Sequence, residues 1–247
     1  MLLRTGTFGL ARFAVTDRSG GVSRPPYAGL NLGDHVGDDP GSVAENRRRL
    51  LAVLPGADRL AFMHQVHGAE VVAIAPGGPA PAADALLCTT PEVAVVVLSA
   101  DCVPVLLAGR ERPVVAVAHA GRLGVVLGVV PAAFEAMAHQ GAEPGELVAL
   151  VGPAVCGRCY EVPATMRDEV AAAVPEAYAT TTAGTPGLDL PAAVEAQLRR
   201  AGVTDVQRVP ECTAESPHLY SHRRDGVTGR LASAAWIPVP PNAAETP

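Results

Sequence analysis

The sequence predicts an α/β fold of the α+β kind: a single layered sandwich of mixed β-sheets with helices outside. Three observations carry that expectation. The middle of the chain holds short, β-branched, almost wholly apolar runs at residues 93–98, 103–107 and 114–118, the pattern of strands buried on both faces. Helical segments at 163–174 and 190–201 carry Pro at the start or Gly just past the end, the usual helix punctuation. No repeat or disordered linker interrupts residues 1–235, and 247 residues suffice for one large core.

The elements follow in order. Polar and apolar residues alternate around Gly20 and Gly21 through about Pro26, which predicts a hairpin. A turn-rich loop runs from Asn31 through His35 to Asp39. Ser42 and Glu45 make an S-x-x-E capping box for a helix over 46–54. Its arginines, Arg47 to Arg49, are expected on a solvated face. The Ala, Pro and Gly stretch over 75–83 reads as a loop. After the three apolar strands, a helix is expected from Gly124 to about Gln140, broken or kinked at Pro131. Strands follow at 146–151 and 203–209, with Gly202 ending the helix between them. The domain is expected to span 1–238, with 239–247 a flexible Pro-rich tail.

Composition excludes several functions. All 19 basic residues are Arg. A chain without Lys cannot form a lysine Schiff base or carry the P-loop lysine. The net charge of −6 argues against a nucleic-acid partner. Five cysteines, an odd count, do not make a disulfide framework. The apolar start is too short for a signal peptide, and no stretch is long enough to span a membrane. The expectation is a reduced, cytoplasmic chain without membrane or nucleic-acid partners, a monomer or weak homo-oligomer.

Three segments place polar, chemically able residues beside buried-strand patterns. His64, Gln65, Val66 and His67 precede a Val-rich strand. Asp101 and Cys102 join two apolar strands, and His119 ends a third. Their spacing is not a compact ligand motif, so the case is topological: strand ends are where sheets and loops build sites. The bland alternatives are a small core cysteine and a satisfied histidine. A buried charge at such a place, however, needs a partner. Together, two His and one Cys suit a catalytic zinc or a copper centre. Cys156 and Cys159 form a C-x-x-C that lacks thioredoxin flanks and, as a zinc motif, lacks a second pair. The cluster from Tyr220 to Gly226 is either a charged turn or a set of forks for phosphate or carboxylate.

These residues together resemble the YfiH/YlmD family, labelled variously as laccase-domain polyphenol oxidase, peptidoglycan editing factor and purine nucleoside phosphorylase. The resemblance covers about Phe8 to Trp236. It rests on Asn31-Leu32-Gly33 with His35 to Asp38, on Ala44 to Arg48, and on Gln65 to Ala69. It continues through Ala83-Asp84-Ala85, Ser99 to Val105 and His119-Ala120-Gly121. It ends with Gly152-Pro153-Ala154, Cys159 to Val162, Cys212-Thr213 and Arg223 to Arg230.

The resemblance implies a metal, usually Zn2+ with Cu2+ as the alternative, held at His67, Cys102 and His119. Catalytic roles are expected at Asp101, Cys102 and His119, with Asp84 a second candidate for moving protons. Substrate contacts are expected at Asn31, His35, Arg122 and Arg224. The implied partners are a small nucleoside and phosphate: phosphorolysis of adenosine, inosine or methylthioadenosine, and deamination of adenosine. Copper oxidation of phenols, hydrolytic editing of a cell-wall precursor and a non-catalytic metal-binding role are the alternatives. A multicopper cluster built from H-x-H pairs has no counterpart here, since none of the seven histidines forms one. One departure stands out. The family pattern H-A-G-W-R-G reads here as His119-Ala120-Gly121-Arg122-Leu123-Gly124, so phosphate must be met by Arg122 from a different angle or by Arg224.

Overall fold

The computed structural model describes residues 1–74 and 77–239. Its strands are β1 (Leu2–Phe8), β2 (Ala11–Thr16), β3 (Arg59–Ala61), β4 (Val71–Ala73), β5 (Ala85–Cys88), β6 (Val93–Ser99) and β7 (Val103–Gly109). They continue as β8 (Val115–Ala120), β9 (Leu147–Val151), β10 (Tyr178–Thr180), β11 (Pro186–Leu188), β12 (Asp205–Arg208) and β13 (Leu231–Trp236). The helices are α1 (Pro40–Ala52), α2 (Arg122–Leu127), α3 (Val129–His139), α4 (Ala164–Ala173), α5 (Leu190–Arg200) and α6 (His222–Asp225).

Two mixed sheets stack face to face. One runs β1-β2-β13-β6-β3, the other β12-β9-β7-β8-β5-β4, with β10-β11 a separate ribbon. Strand β6 shows why the apolar runs are continuous. Val93, Val95 and Val97 point into the core between the sheets, against Leu86, Leu106, Val117 and Leu150. Ala94, Val96 and Leu98 point the other way, under Leu50 and Leu54 at the end of α1. On the second sheet, Val103, Val105 and Leu107 face Val130, Met137, Val194 and Leu198 of α3 and α5. Side chains alternate across a strand, so burial on both faces leaves no polar position. The result is the expected layered sandwich of mixed sheets with helices outside.

Several local expectations are corrected. The first hairpin turns at Gly9 and Leu10, with Phe8 opposite Ala11; Gly9 takes φ +55°, which suits glycine in a two-residue turn. Gly20 and Gly21 lie in the next loop. The cap of α1 is Asp39, whose carboxylate accepts from the Ser42 N–H at 2.7 Å and its hydroxyl at 2.9 Å. Glu45 instead pairs with Arg48 and Arg49. Arg47 is half-buried and leaves that face: it reaches Asp34 at 3.1 Å and lies 4.0 Å over the Phe62 ring. The expected break at Pro131 falls at Gly128, in the left-handed region at φ +84°, which ends α2 and starts α3. Pro131 sits in the first turn of α3, where its missing N–H would have no helical partner. Gly202 closes α5 as expected, at φ +91°. Residues 75–76 of the expected 75–83 loop and 240–247 of the expected tail lie outside the described residues.

Candidate metal site and the adjoining cavity

Strands β7 and β8 run antiparallel with Pro104 opposite His119. The start of one and the end of the other therefore lie side by side. This brings Cys102, just before β7, next to His119 in β8. Strand β5 flanks β8 on its other side, with Ala85 opposite Ala118. Asp84, heading β5, thus meets His119, whose N–H donates to the Asp84 carbonyl at 2.8 Å.

The Asp84 carboxylate organises the rest. It is fully buried. Its Oδ1 lies 2.9 Å from His119 Nδ1 and accepts from the His67 amide at 3.0 Å. Its Oδ2 accepts from the amides of Val66 at 3.1 Å and Gly68 at 2.6 Å. One carboxylate so folds the loop carrying His67 and orients His119. His67 adopts φ +60°, a left-handed conformation held by those bonds. Burial pushes the Asp84 pKa up, but the His119 and Gly68 hydrogen bonds outweigh it and hold the carboxyl below its ordinary range. An ionised Asp84 accepts a hydrogen bond from His119 Nδ1–H, which leaves Nε2 as the ring nitrogen free for the cluster.

His67, Cys102 and His119 each offer one donor atom, all within 4.8 Å of one another. The two imidazoles meet edge to face at 4.8 Å. Burial opposes the Cys102 thiolate, yet hydrogen bonds from His119 and His67 lower its pKa to about 6. Burial likewise opposes a charged His119, while Asp84 and Cys102 raise it to about 9. Gly121 completes the cradle. A Cβ there would stand 2.9 Å from His67 Cδ2 and 3.2 Å from Cys102 Sγ. The donor set and the space around it fit a borderline-soft divalent metal.

A cavity of about 380 Å³ adjoins the cluster, lined by Cys102, Asp101, Arg122, Tyr160 and Arg223 among others. Arg122 is the first residue of α2, so the displaced arginine of His119-Ala120-Gly121-Arg122 still reaches the cavity wall. Arg223 stacks 5.0 Å from the Tyr160 ring. Among the described residues, neither arginine has an acidic partner within salt-bridge distance.

The other predicted site residues take different positions. Asp101 lines the cavity at φ +99°. Its carboxylate accepts from Thr213 Oγ1 at 2.6 Å, Ser221 Oγ at 2.7 Å and the Arg223 amide at 2.6 Å. It anchors the loop that presents Arg223. Arg224 does not line this cavity and is engaged within its own loop. All five of its N–H groups are committed, to Asp225 and to the carbonyls of Thr213, Ser216 and Leu219. Asn31 is buried with both ends of its amide engaged, by Gly33, Asp38 and Arg230. It shapes a loop and does not line the cavity. His35 sits outside the cavity too, half exposed beside Asp34; burial and the nearby Arg230 charge lower its pKa. The sequence assigns Tyr160 no role, and it offers Arg223 only within the Tyr220–Gly226 cluster, as one of several forks for phosphate or carboxylate. Sequence reasoning quoted Asp84 without its role as orienter, although an aspartate opening an apolar strand is a signal for a buried, partnered charge.

Known proteins are similar to this chain over nearly its whole length. A family described as multi-copper polyphenol oxidoreductase laccase matches residues 12–238. A purine nucleoside phosphorylase of Streptomyces coelicolor is 54% identical over 242 residues, covering 96% of this chain and all of that one. One of Mycobacterium tuberculosis is 51% identical over 230 residues, covering 92% of each chain. YlmD from Geobacillus stearothermophilus superposes with a TM-score of 0.86 at 31% identity, covering 93% of this chain and 92% of the other. A Neisseria meningitidis protein gives 0.85 at 35% identity, covering 96% and 99%. No described helix is long and apolar enough to cross a membrane. With its two stacked sheets, its His67–Cys102–His119 cluster and this match over nearly its whole length, the chain belongs to the multi-copper polyphenol oxidoreductase laccase family.

Proposed function

We propose that this chain is a zinc-dependent purine nucleoside phosphorylase that also deaminates adenosine. The observation that carries the reading is one cavity that meets the His67, Cys102, His119 donor set at Cys102 and is lined by two arginines without acidic partners among the described residues, Arg122 and Arg223. The name shared by relatives at 51–54% identity supports it. Held by His67, Cys102 and His119, zinc would supply Lewis acidity when bound.

In phosphorolysis, a phosphate oxygen forms a bond to ribose C1′ while the bond from C1′ to the purine nitrogen breaks. The purine leaves with the electron pair and takes up a proton. Arg122 and Arg223 hold the phosphate by charge-assisted, fork-shaped hydrogen bonds. Tyr160 offers an aromatic face to the base. Asp101 grips the Arg223 amide and so aims that side chain. Asp84 keeps His119 and the His67 loop in position. Deamination exchanges the adenine amine for a water oxygen and releases ammonia.

The family's description favours copper as a second reading, and the donor set suits a single copper ion. Met63 does not complete such a centre, because it is buried in the core between the sheets.

The test is zinc-loaded protein with adenosine, with and without phosphate, resolved by chromatography. Adenine formed only with phosphate supports phosphorolysis, and inosine in both samples supports deamination. Unchanged adenosine in both overturns the reading, as does a metal-free Cys102→Ala protein with full activity.

A further inference from the structure

Cys156, Cys159, Cys212 and Glu215 converge at a second place on the chain. Each offers one donor atom, and the four lie within 4.8 Å of one another. The three thiols are free. They come from two loops that make the same turn. In the first, the amides of Cys159 and Tyr160 donate to the Cys156 carbonyl at 2.9 and 3.0 Å. In the second, the amides of Glu215 and Ser216 donate to the Cys212 carbonyl at 3.2 and 3.0 Å. A bridge between Ala154 and Cys212 fixes the two turns against each other. The Cys156 amide also points at Cys212 Sγ, 3.3 Å away.

The C-x-x-C motif that lacks a second pair in sequence acquires one here, in the C-x-x-E of residues 212–215. We propose that these four residues form a second, structural metal site for Zn2+. Zinc bonded to thiolates at about 2.3 Å in a tetrahedron sets neighbouring donors about 3.8 Å apart, within the spread seen. Three thiolates select a soft or borderline metal. Four protein ligands leave no open position, so the site is structural. Arg158, 3.3 Å from both Glu215 oxygens, offsets the negative charge such a centre carries. A disulfide could join only two of the three thiols, leaving the third thiol and the carboxylate beside it without a role.

The position gives the site a purpose. Val155 and Tyr160 flank the first turn and line the cavity. Thr213 follows Cys212 and donates to Asp101. A metal here clamps the part of the cavity wall that Val155 and Tyr160 form.

The experiment is metal analysis of protein purified under reducing conditions and saturated with zinc. Wild type should hold two zinc ions per chain, and Cys102→Ser and Cys159→Ser one each. Because Cys159→Ser can fail to fold, the deciding sample is Cys102→Ser titrated with Co2+, where the second cluster is intact. One equivalent with an intense thiolate-to-cobalt band in the near ultraviolet and tetrahedral visible bands supports the site. No binding, or binding without the thiolate band, overturns it. A disulfide found by mass spectrometry between any two of the three cysteines after this purification overturns it too. None of these readouts depends on nucleoside turnover.

Discussion

Asp84 Oδ1 stands 2.9 Å from His119 Nδ1, and both side chains are buried. The same carboxylate receives the amides of Val66, His67 and Gly68. Two segments of the proposed metal site, from distant parts of the chain, therefore depend on one anion. Asp84→Asn keeps the size but loses the charge. Partners behind a ligating histidine are typically worth 10–100-fold in metal affinity, so a loss of about that size is expected in a zinc competition titration. Asp84→Ala should also cost roughly 3–5 kcal/mol in urea unfolding, because it leaves buried donors unpaired. Wild-type zinc affinity in Asp84→Asn would show that Asp84 is only a loop staple.

Metal removal should lower thermal stability. A ligand that binds only the native state, free at about a hundred times its Kd, stabilises by about 2.7 kcal/mol. For a chain of this size that corresponds to roughly 5–11 °C in Tm. Calorimetry before and after dialysis against a chelator measures it. An unchanged Tm would mean that neither cluster binds metal in the folded protein.

Gly121→Ala tests the cradle. The added methyl would stand 2.9 Å from His67 Cδ2 and 3.2 Å from Cys102 Sγ. His67 is exposed and can swing away, so the fold should survive. Zinc affinity should fall about tenfold or more, as when an orienting group is lost. Equal affinity in the two proteins would show that the ligands close without this space.

Arg223 and Arg224 are neighbours with opposite assignments. Arg223→Ala should raise KM for phosphate and leave the unfolding midpoint near wild type. Arg224→Ala removes charge-assisted bonds to three carbonyls and Asp225, which should cost roughly 2–4 kcal/mol of stability. Phosphate kinetics and denaturation on both variants separate them, and the reverse pattern would sink the assignment of Arg223 to the anion.

The cap of α1 gives a purely structural check. Asp39→Ala should lower the urea midpoint of unfolding, as the loss of an N-cap does. Ser42→Ala should cost less, since the Ser42 amide still reaches Asp39. Equal losses would restore Ser42 as the cap.

The fold was legible in sequence because its core strands are buried on both faces. Apolar runs such as 93–98 can lie nowhere else in a folded chain, and the lengths of the runs set the strands. Turn positions were less legible. Several glycines compete for the first hairpin, and only the Phe8–Ala11 pairing selects Gly9. At the site, the ligand residue types and their places at strand ends were readable, and the family resemblance singled out His67, Cys102 and His119. Nothing local in sequence says that Arg224 is spent on its own loop while Arg223 faces the cavity. Adjacent residues with the same chemistry are separated only by where a short helix points them.

The sequence by itself therefore determined the class of fold, the family and the kinds of side chain available for chemistry. Tertiary structure decided which of them meet. The antiparallel pairing of β7 with β8 sets Cys102 beside His119. The pairing of β5 with β8 puts Asp84 behind it. The facing turns at 156–159 and 212–215 join two pairs of donors that lie far apart along the chain. The physical reason is that strand pairing and burial act over distances in space, whereas a motif reports only on its neighbours along the backbone.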